Sequence, residues 1–153
     1  MDLEAVKRSL EVAGGGVTLP AAGLPKRFFE TFALHGISID LIERGHVICS
    51  MTTPPRLLNS RGFLDGGLMV TLVDLVGSAV FYSVGLATSG VSIEINISYV
   101  DVAYIDEEIE FDAKILKVGN TIGVSTVEVR KKKTGKIVAQ ARHAKYIAFP
   151  SKL

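Results

Sequence analysis

The segment best suited to chemistry is Asn59-Ser60-Arg61-Gly62-Phe63-Leu64-Asp65-Gly66-Gly67, a polar, glycine-rich loop that opens directly into an apolar run of helical length. Two glycines at a helix start cost stability unless something approaches the backbone closely. The unpaired amides of a first helical turn, backed by the positive end of the helix dipole, suit an anion or a developing oxyanion. The plain structural reading of the same residues is a loop that needs glycine for its turn, with Asp65 as an ordinary N-cap. Asp74 adds a second chemical group. A carboxylate in the middle of an otherwise apolar helix is not a surface residue, and buried carboxylates are paired, neutralised or functional.

Spacing constrains how these groups act together. Asp74 lies eight residues beyond Gly66, which puts the two roughly 12 Å apart along one helix axis. A carboxylate that activates water or attacks a carbonyl must sit about 3 Å from the reacting atom, as must the oxyanion donor. One chain's pair does not serve one carbonyl. If both groups belong to one site, Asp74 comes from a second subunit whose helix runs alongside in the opposite direction. A mean hydropathy of +0.35 leaves apolar residues to spare, and a two-fold subunit interface is where they would go.

The positioning elements read from periodicity. The chain has 153 residues, enough for one domain with its own core. Residues 2–12 have the spacing of a short amphipathic helix, followed by a Gly14-Gly15-Gly16 joint, and a second short helix starts at Leu24-Pro25 and ends at Gly36. Ile37 to Thr53 reads as a hairpin turning at Glu43-Arg44-Gly45, stopped by Pro54-Pro55. Leu68 to Ala87 has the length of a membrane span but carries Asp74 and several Gly and Ser residues, so it reads as a helix wrapped by protein and no span is expected. Gly90 to Val100 alternates strictly, Val91, Ile93, Ile95, Ile97 and Tyr99 on one face and Ser92, Glu94, Asn96 and Ser98 on the other. Ile109–Val118, Thr121–Lys131 and Ile137–Phe149 are three more strands, expected to form a meander. The sum is an α+β fold, a strongly curved antiparallel sheet of five to six strands wrapped around a long central helix. The expected division is a helix and flexible segment over 1–24, one domain over 25–149, and an exposed tail over 150–153.

Composition excludes several classes. With 17 basic and 16 acidic side chains the net charge is +1, which argues against a nucleic-acid backbone as partner. Three histidines and Cys49 stand at no metal-ligand spacing, so no metal is expected. His46 and His143 read as strand residues with local hydrogen bonds, with no histidine near Asp74. The N-terminus lacks the apolar stretch of a secretory signal. Ser151-Lys152-Leu153 spells the tripeptide read by the peroxisomal import receptor, so a peroxisomal location is expected.

Taken together, N-x-x-G ending in a glycine pair at the helix start and L-V-D within the helix resemble the hotdog-fold acyl-CoA thioesterases, from about Phe28 to Tyr146. The matching segments are Asn59, Gly62, Gly66-Gly67, Thr71-Leu72-Val73-Asp74, Gly90-Val91-Ser92, Asn96-Ile97-Ser98-Tyr99, Thr134-Gly135-Lys136 and Arg142-His143-Ala144-Lys145. The resemblance is to the subgroup of thioesterase superfamily member 2 and the phenylacetate-pathway enzymes. It implies hydrolysis of acyl-CoA to free acid and CoA without a cofactor, in a homodimer or homotetramer. It implies that Asp74 is the general base or nucleophile, that the Gly66 amide holds the oxyanion, that Asn59 orients water or thioester, and that Ser92 positions water. It further implies that Lys117-Val118-Gly119-Asn120-Thr121-Ile122, with Tyr99 and Tyr146, lies along the CoA nucleotide and pantetheine. By charge, Lys117, Arg142 and Lys145 can neutralise phosphates, whereas Arg130-Lys131-Lys132-Lys133 reads as a solvated strand edge.

One position departs from the subgroup, which usually has histidine where this chain has Asp65. An ionised aspartate accepts hydrogen bonds only, and its charge opposes a nearby oxyanion. Three roles are open to it: an N-cap pointing away, a second carboxylate that alters substrate preference, or a substitution that leaves a non-catalytic acyl-CoA binder. A hotdog dehydratase, which needs a histidine paired with an acid, is the third and weakest class. The acyl group itself is not encoded in any motif.

Overall fold

The computed structural model describes Lys7 and residues 27–148. The Gly14–Gly16 joint, the Ser151–Leu153 tail and, Lys7 apart, the helix expected over 2–12 lie outside the described residues. A short helix α1 (Phe28–Leu34) leads into the hairpin β1 (Ser38–Glu43) and β2 (His46–Thr52). A 3-10 turn over Pro55–Leu57 and the loop to Asp65 follow, then helix α2 (Gly66–Tyr82) and strands β3 (Val91–Tyr99), β4 (Glu108–Val118), β5 (Ile122–Lys131) and β6 (Ile137–Tyr146). The six strands form one antiparallel sheet in the order β1-β2-β4-β5-β6-β3. The β4-β5-β6 meander is as expected from its short turns. β3, which follows the helix, does not join its sequence neighbour β4 but closes the far edge beside β6.

Helix α2 lies on one face of this sheet and touches β2 through β6. Its residues Met69, Leu72, Val73, Val76, Val80 and Phe81 recur at three- and four-residue intervals and are buried against Phe111, Ile109, Val127 and Val129. Its other side, with Val70, Asp74, Leu75 and Ser78 half-buried and Ala79 and Tyr82 exposed, is left open. The expected wrapping on all sides is therefore absent in one chain, because a single sheet covers only one flank of a helix. Among the described residues no helix is long and apolar enough to cross a membrane.

Two local features set the distance and phase of the site. Gly77 is buried at the helix–sheet contact, where an added Cβ would lie 3.1 Å from Val127 Cγ2, 3.2 Å from His143 Nδ1 and 3.3 Å from Ser125 Oγ. Ser125 Oγ donates to the Gly77 carbonyl at 3.0 Å, so helix and strand meet backbone to side chain. In β3 the register with β6 shifts between Ser92 and Glu94, a bulge at Ile93. Beyond the bulge the expected alternation holds, with Ile95 and Ile97 packed on the core and Glu94, Asn96 and Ser98 on the opposite face. Before it the phase inverts, so Ser92 turns to the helix side and Val91 is 70% exposed.

The sheet face away from α2 is polar. Asp112 accepts from His46 at 2.7 Å, Arg130 at 2.8 Å and Lys114 at 3.1 Å, while Arg130 also reaches Glu110 and Glu128. Burial pushes the Asp112 carboxyl up, but these donors outweigh it and hold the group below its usual range. Arg130, Lys131 and Lys132 are thus structural ion-pair residues, which corrects their reading as a solvated strand edge, because β5 lies inside the sheet between β4 and β6. Alanine at position 77 would gain about 1 kcal/mol of helix propensity but overpack buried strand residues at about 1–3 kcal/mol. Gly77→Ala is expected to lower the urea unfolding midpoint; an unchanged or higher midpoint would mean that the strands give way freely.

Candidate active site

The helix N-terminus is built by the loop before it. Asn59 Oδ1 accepts from the amides of Arg61 at 2.9 Å and Phe63 at 3.4 Å, which fixes the loop as a turn and leaves the side-chain NH2 as the group Asn59 can offer outward. Asp65 is the N-cap of α2: Oδ1 accepts from the Gly67 amide at 2.8 Å and the Leu68 amide at 3.1 Å. Of the three roles open to Asp65, the structure has it as a cap. Gly66 N–H, the first of the helix, has no acceptor within the helix. Tyr99 donates its hydroxyl to the Gly66 carbonyl at 2.6 Å, and burial, then the Asp65 charge, pushes its phenol up.

Two turns along, Asp74 sits on the margin between the buried and open flanks of α2, its side chain 42% exposed. Oδ1 accepts from Ser78 at 3.3 Å, one turn on, and from Ser92 at 3.2 Å, across on β3. His143 Nε2 lies 3.4 Å from the same oxygen and 2.8 Å from Ser92 Oγ. Since the single Ser92 proton is committed to Asp74, proton counting assigns the Nε2 hydrogen to His143, which donates to Ser92. His143 is 0% exposed and its Nδ1 is buried without a partner, which suits a neutral ring with a bare nitrogen there. Burial first, then Lys145, lowers the His143 pKa, with Asp74 opposing.

The expectation that no histidine stands near Asp74 is thus corrected, as is the reading of Lys145 as a phosphate-binding cation. Lys145 is 3% exposed and donates to Ser78 Oγ at 2.5 Å. The signal for both was available in β6. Ala139, Ala141, His143, Lys145 and Ile147 share the phase that faces the helix, so His143 and Lys145 are polar residues in an inward register. What hid them was the 68 residues between Asp74 and His143.

An open cavity of about 730 Å³ runs from Asp74, Ser92 and Lys145 past Leu75 and Ala79 to Ile37, Ile39 and Ile42 of the β1 end. Cys49 lines it too, its thiol pushed up to about 11 by burial and then by Asp40. The residues expected along CoA divide. Tyr146 pairs with Ile122 and Val91 at one end of the sheet, beside the Lys117–Ile122 turn, which Gly119 and Thr121 tie down through Ile122 and Ile147. Tyr99 is at the opposite end of β3, against Gly66. Among the described residues no cluster of His, Cys, Asp and Glu could hold a metal ion.

A six-stranded antiparallel sheet carrying a 17-residue helix, with a glycine-rich turn at the helix start and a carboxylate within it, defines a hotdog-type α+β protein. The thioesterase superfamily model matches residues 61–138. Human acyl-coenzyme A thioesterase 13 is 38% identical over 103 residues, 67% of this chain and 74% of the relative. The crystal structure of mouse thioesterase superfamily member 2 superposes with a TM-score of 0.74 at 30% identity, covering 97% of this chain and 99% of that one. A hypothetical thioesterase with coenzyme A from Streptococcus pneumoniae gives 0.69 at 25% identity, covering 74% and 89%. The chain belongs to the thioesterase superfamily and is by class a thioester hydrolase.

The capping geometry separates the charge of Asp65 from its hydrogen bonds. Asp65→Asn, which still accepts from both amides, is expected to melt within a few tenths of a kcal/mol of wild type, while Asp65→Ala loses about 1 kcal/mol. Equal losses in denaturant unfolding would show that the charge, rather than the cap, matters for folding.

Proposed function

We propose that this protein hydrolyses acyl-CoA thioesters to free acid and CoA, with Asp74 as the group that activates water. The observation that carries the reading is the convergence of Ser78, Ser92 and His143 on Asp74 Oδ1 beside an apolar cavity. With Oδ1 taken, Oδ2 is the oxygen turned to the reactant. A water between Oδ2 and Ser92 loses its proton to Asp74 as its oxygen attacks the thioester carbon, and the tetrahedral oxyanion is met by the Gly66 amide. Collapse breaks the C–S bond and releases CoA. Direct attack by Asp74 would use the same two halves. Asn59, through its NH2, orients the thioester. The apolar side chains of Ile37, Ile39, Leu75 and Ala79 suit an apolar acyl group.

The site is shared by two chains in this reading. The Gly66–Tyr99 and Asp74–Ser92 contacts stand at opposite ends of β3, about 12 Å apart on the helix. β3 is an edge strand, with Val91, Ile93 and Tyr99 exposed and a free row of backbone groups. Antiparallel pairing of two β3 edges brings each Gly66 end to the partner's Asp74 end and covers the open flank of α2. It also brings Tyr99 toward the partner's Tyr146 and Lys117–Ile122 turn, which reunites the expected CoA contacts. In this reading the polar sheet face, whose acids and bases are interspersed, joins dimers into tetramers.

Asp65 is the motive for a non-catalytic binder, and its engagement as a cap supports the reading in which it leaves activity intact. His143 is fully buried behind Ser92, so it is placed to support Asp74 and not to act on substrate as a dehydratase histidine would. The peroxisomal address rests on Ser151-Lys152-Leu153 alone. A fluorescent protein fused ahead of the full chain is expected in peroxisomes, and loss of those three residues is expected to release it; cytosolic signal from the intact fusion would end this reading.

CoA release from short, medium, long and aromatic acyl-CoAs, followed with a thiol reagent, is expected from the wild type and not from Asp74→Ala. Because Cys49 is buried, it adds little background. Refolded mixtures of Asp74→Ala and Asn59→Ala, each inactive, are expected to regain about a quarter of wild-type activity, since half of the dimers are mixed and one of their two sites is whole. No recovery would mean that each site lies within one chain.

A further inference from the structure

Lys145 takes no part in the steps above, yet it is buried beside them. Its Nζ donates to Ser78 Oγ at 2.5 Å, and Ser78 Oγ in turn donates to Asp74 Oδ1 at 3.3 Å. We infer that Lys145 is a positioning residue of the hydrolytic site, acting through Ser78 to hold Asp74 by Oδ1 and so keep Oδ2 turned to the reactant. This rests on the thioesterase reading of the site and adds a residue to it.

Proton counting gives the arm its direction. An ammonium has donors only, so Ser78 must accept from Lys145 and has one proton left, which goes to Asp74. The second arm, from His143 through Ser92, ends on the same oxygen. Both arms start on β6, at positions two apart on its inward face, and both cross to α2 through a serine. Ser78 stands one helical turn from Asp74, on the same flank, so the first arm is local to the helix. The second depends on the β3 bulge. Together they hold one oxygen of Asp74 from two sides.

A buried ammonium with a single charged neighbour needs a reason to be there, since an apolar residue of the same size packs at lower cost. Burial lowers the Lys145 pKa and Asp74 opposes that shift. The other titratable groups along the cavity are Cys49 on β2, Tyr82 on α2, and Arg27 and Glu30 at the α1 end, while His143 lies buried behind Ser92 on the same strand as Lys145. Arg27 and Glu30 pair with each other. Asp74 is therefore the acid left for the lysine, and Ser78 is the link between them.

The test is a double-mutant cycle read as kcat and KM on the acyl-CoA that the wild type hydrolyses best. Lys145→Met and Ser78→Ala are each expected to lower kcat about tenfold or more, the worth of one charge-assisted hydrogen bond, with KM within about twofold of wild type. The double variant is expected to be no slower than the slower single, because both changes cut one arm. Wild-type kcat in either single, losses that multiply in the double, or an effect confined to KM would each overturn the inference. If Lys145→Met does not fold, Ser78→Ala decides alone, since it cuts the arm and leaves the lysine. A wild type that releases no CoA would defeat the thioesterase reading itself. Activity in the wild type, none in Asp74→Ala and full activity in Ser78→Ala would defeat only the role of Lys145.

Discussion

Everything in this site depends on supplying hydrogen-bond donors to one carboxylate at the edge of an apolar helix. Asp74 stands where the buried flank of α2 gives way to the open one, and an ionised carboxylate there needs protein donors in place of lost water. The helix offers only Ser78. The remaining donors come from other strands, and each requires a backbone adjustment. Ser92 reaches Asp74 because the bulge at Ile93 inverts the phase of β3. His143 reaches it because Gly77 lets the helix settle onto β5 and β6. A helix interior glycine and a strand bulge both weaken regular structure when taken alone. Here each places a polar group within bonding distance of the same oxygen.

The second half of the chemistry is organised by charge. Asp65 at the start of α2 puts a negative group next to amides that suit a developing oxyanion, which looks self-defeating. Its geometry separates the tasks. Oδ1 takes the Gly67 and Leu68 amides, while Gly66 N–H keeps no partner inside the helix. The cap thus stiffens the turn that carries the candidate oxyanion donor, at the expense of a nearby negative charge. Tyr99 closes the other side of Gly66 by binding its carbonyl, so the orientation of that peptide is fixed from two directions.

In the proposed two-chain reading, a single chain carries one half of each site. The helix flank opposite the sheet is open, the β3 edge exposes Val91, Ile93 and Tyr99, and the groups that would act on one carbonyl stand about two turns apart on one helix. The first follows from a sheet that covers one flank of the helix, the second from the place of β3 at the end of the strand order, and the third from the helical rise between Gly66 and Asp74. A two-fold copy placed edge to edge at β3 addresses the three features together.

Elements with strong periodicity or turn chemistry were legible in the sequence: the β1–β2 hairpin, the β4-β5-β6 meander, α2 from its glycine pair, and Asp74 as an acid that an apolar helix could not hide. These are local properties, set by φ/ψ preferences and by burial of one face. The tertiary structure alone decided the rest. β3 took the far edge beside β6, since strand order depends on which edges are free once the helix has crossed the sheet. Ser92 turned inward because a one-residue bulge reverses every side chain before it, and strict alternation carries no mark of that. His143 and Lys145 joined Asp74 because strand pairing brings together residues far apart in the chain, with nothing in the residues between them to say so. Residue types and their spacing determined the chemistry available; which groups share one oxygen was set by packing, which acts between elements and not along them.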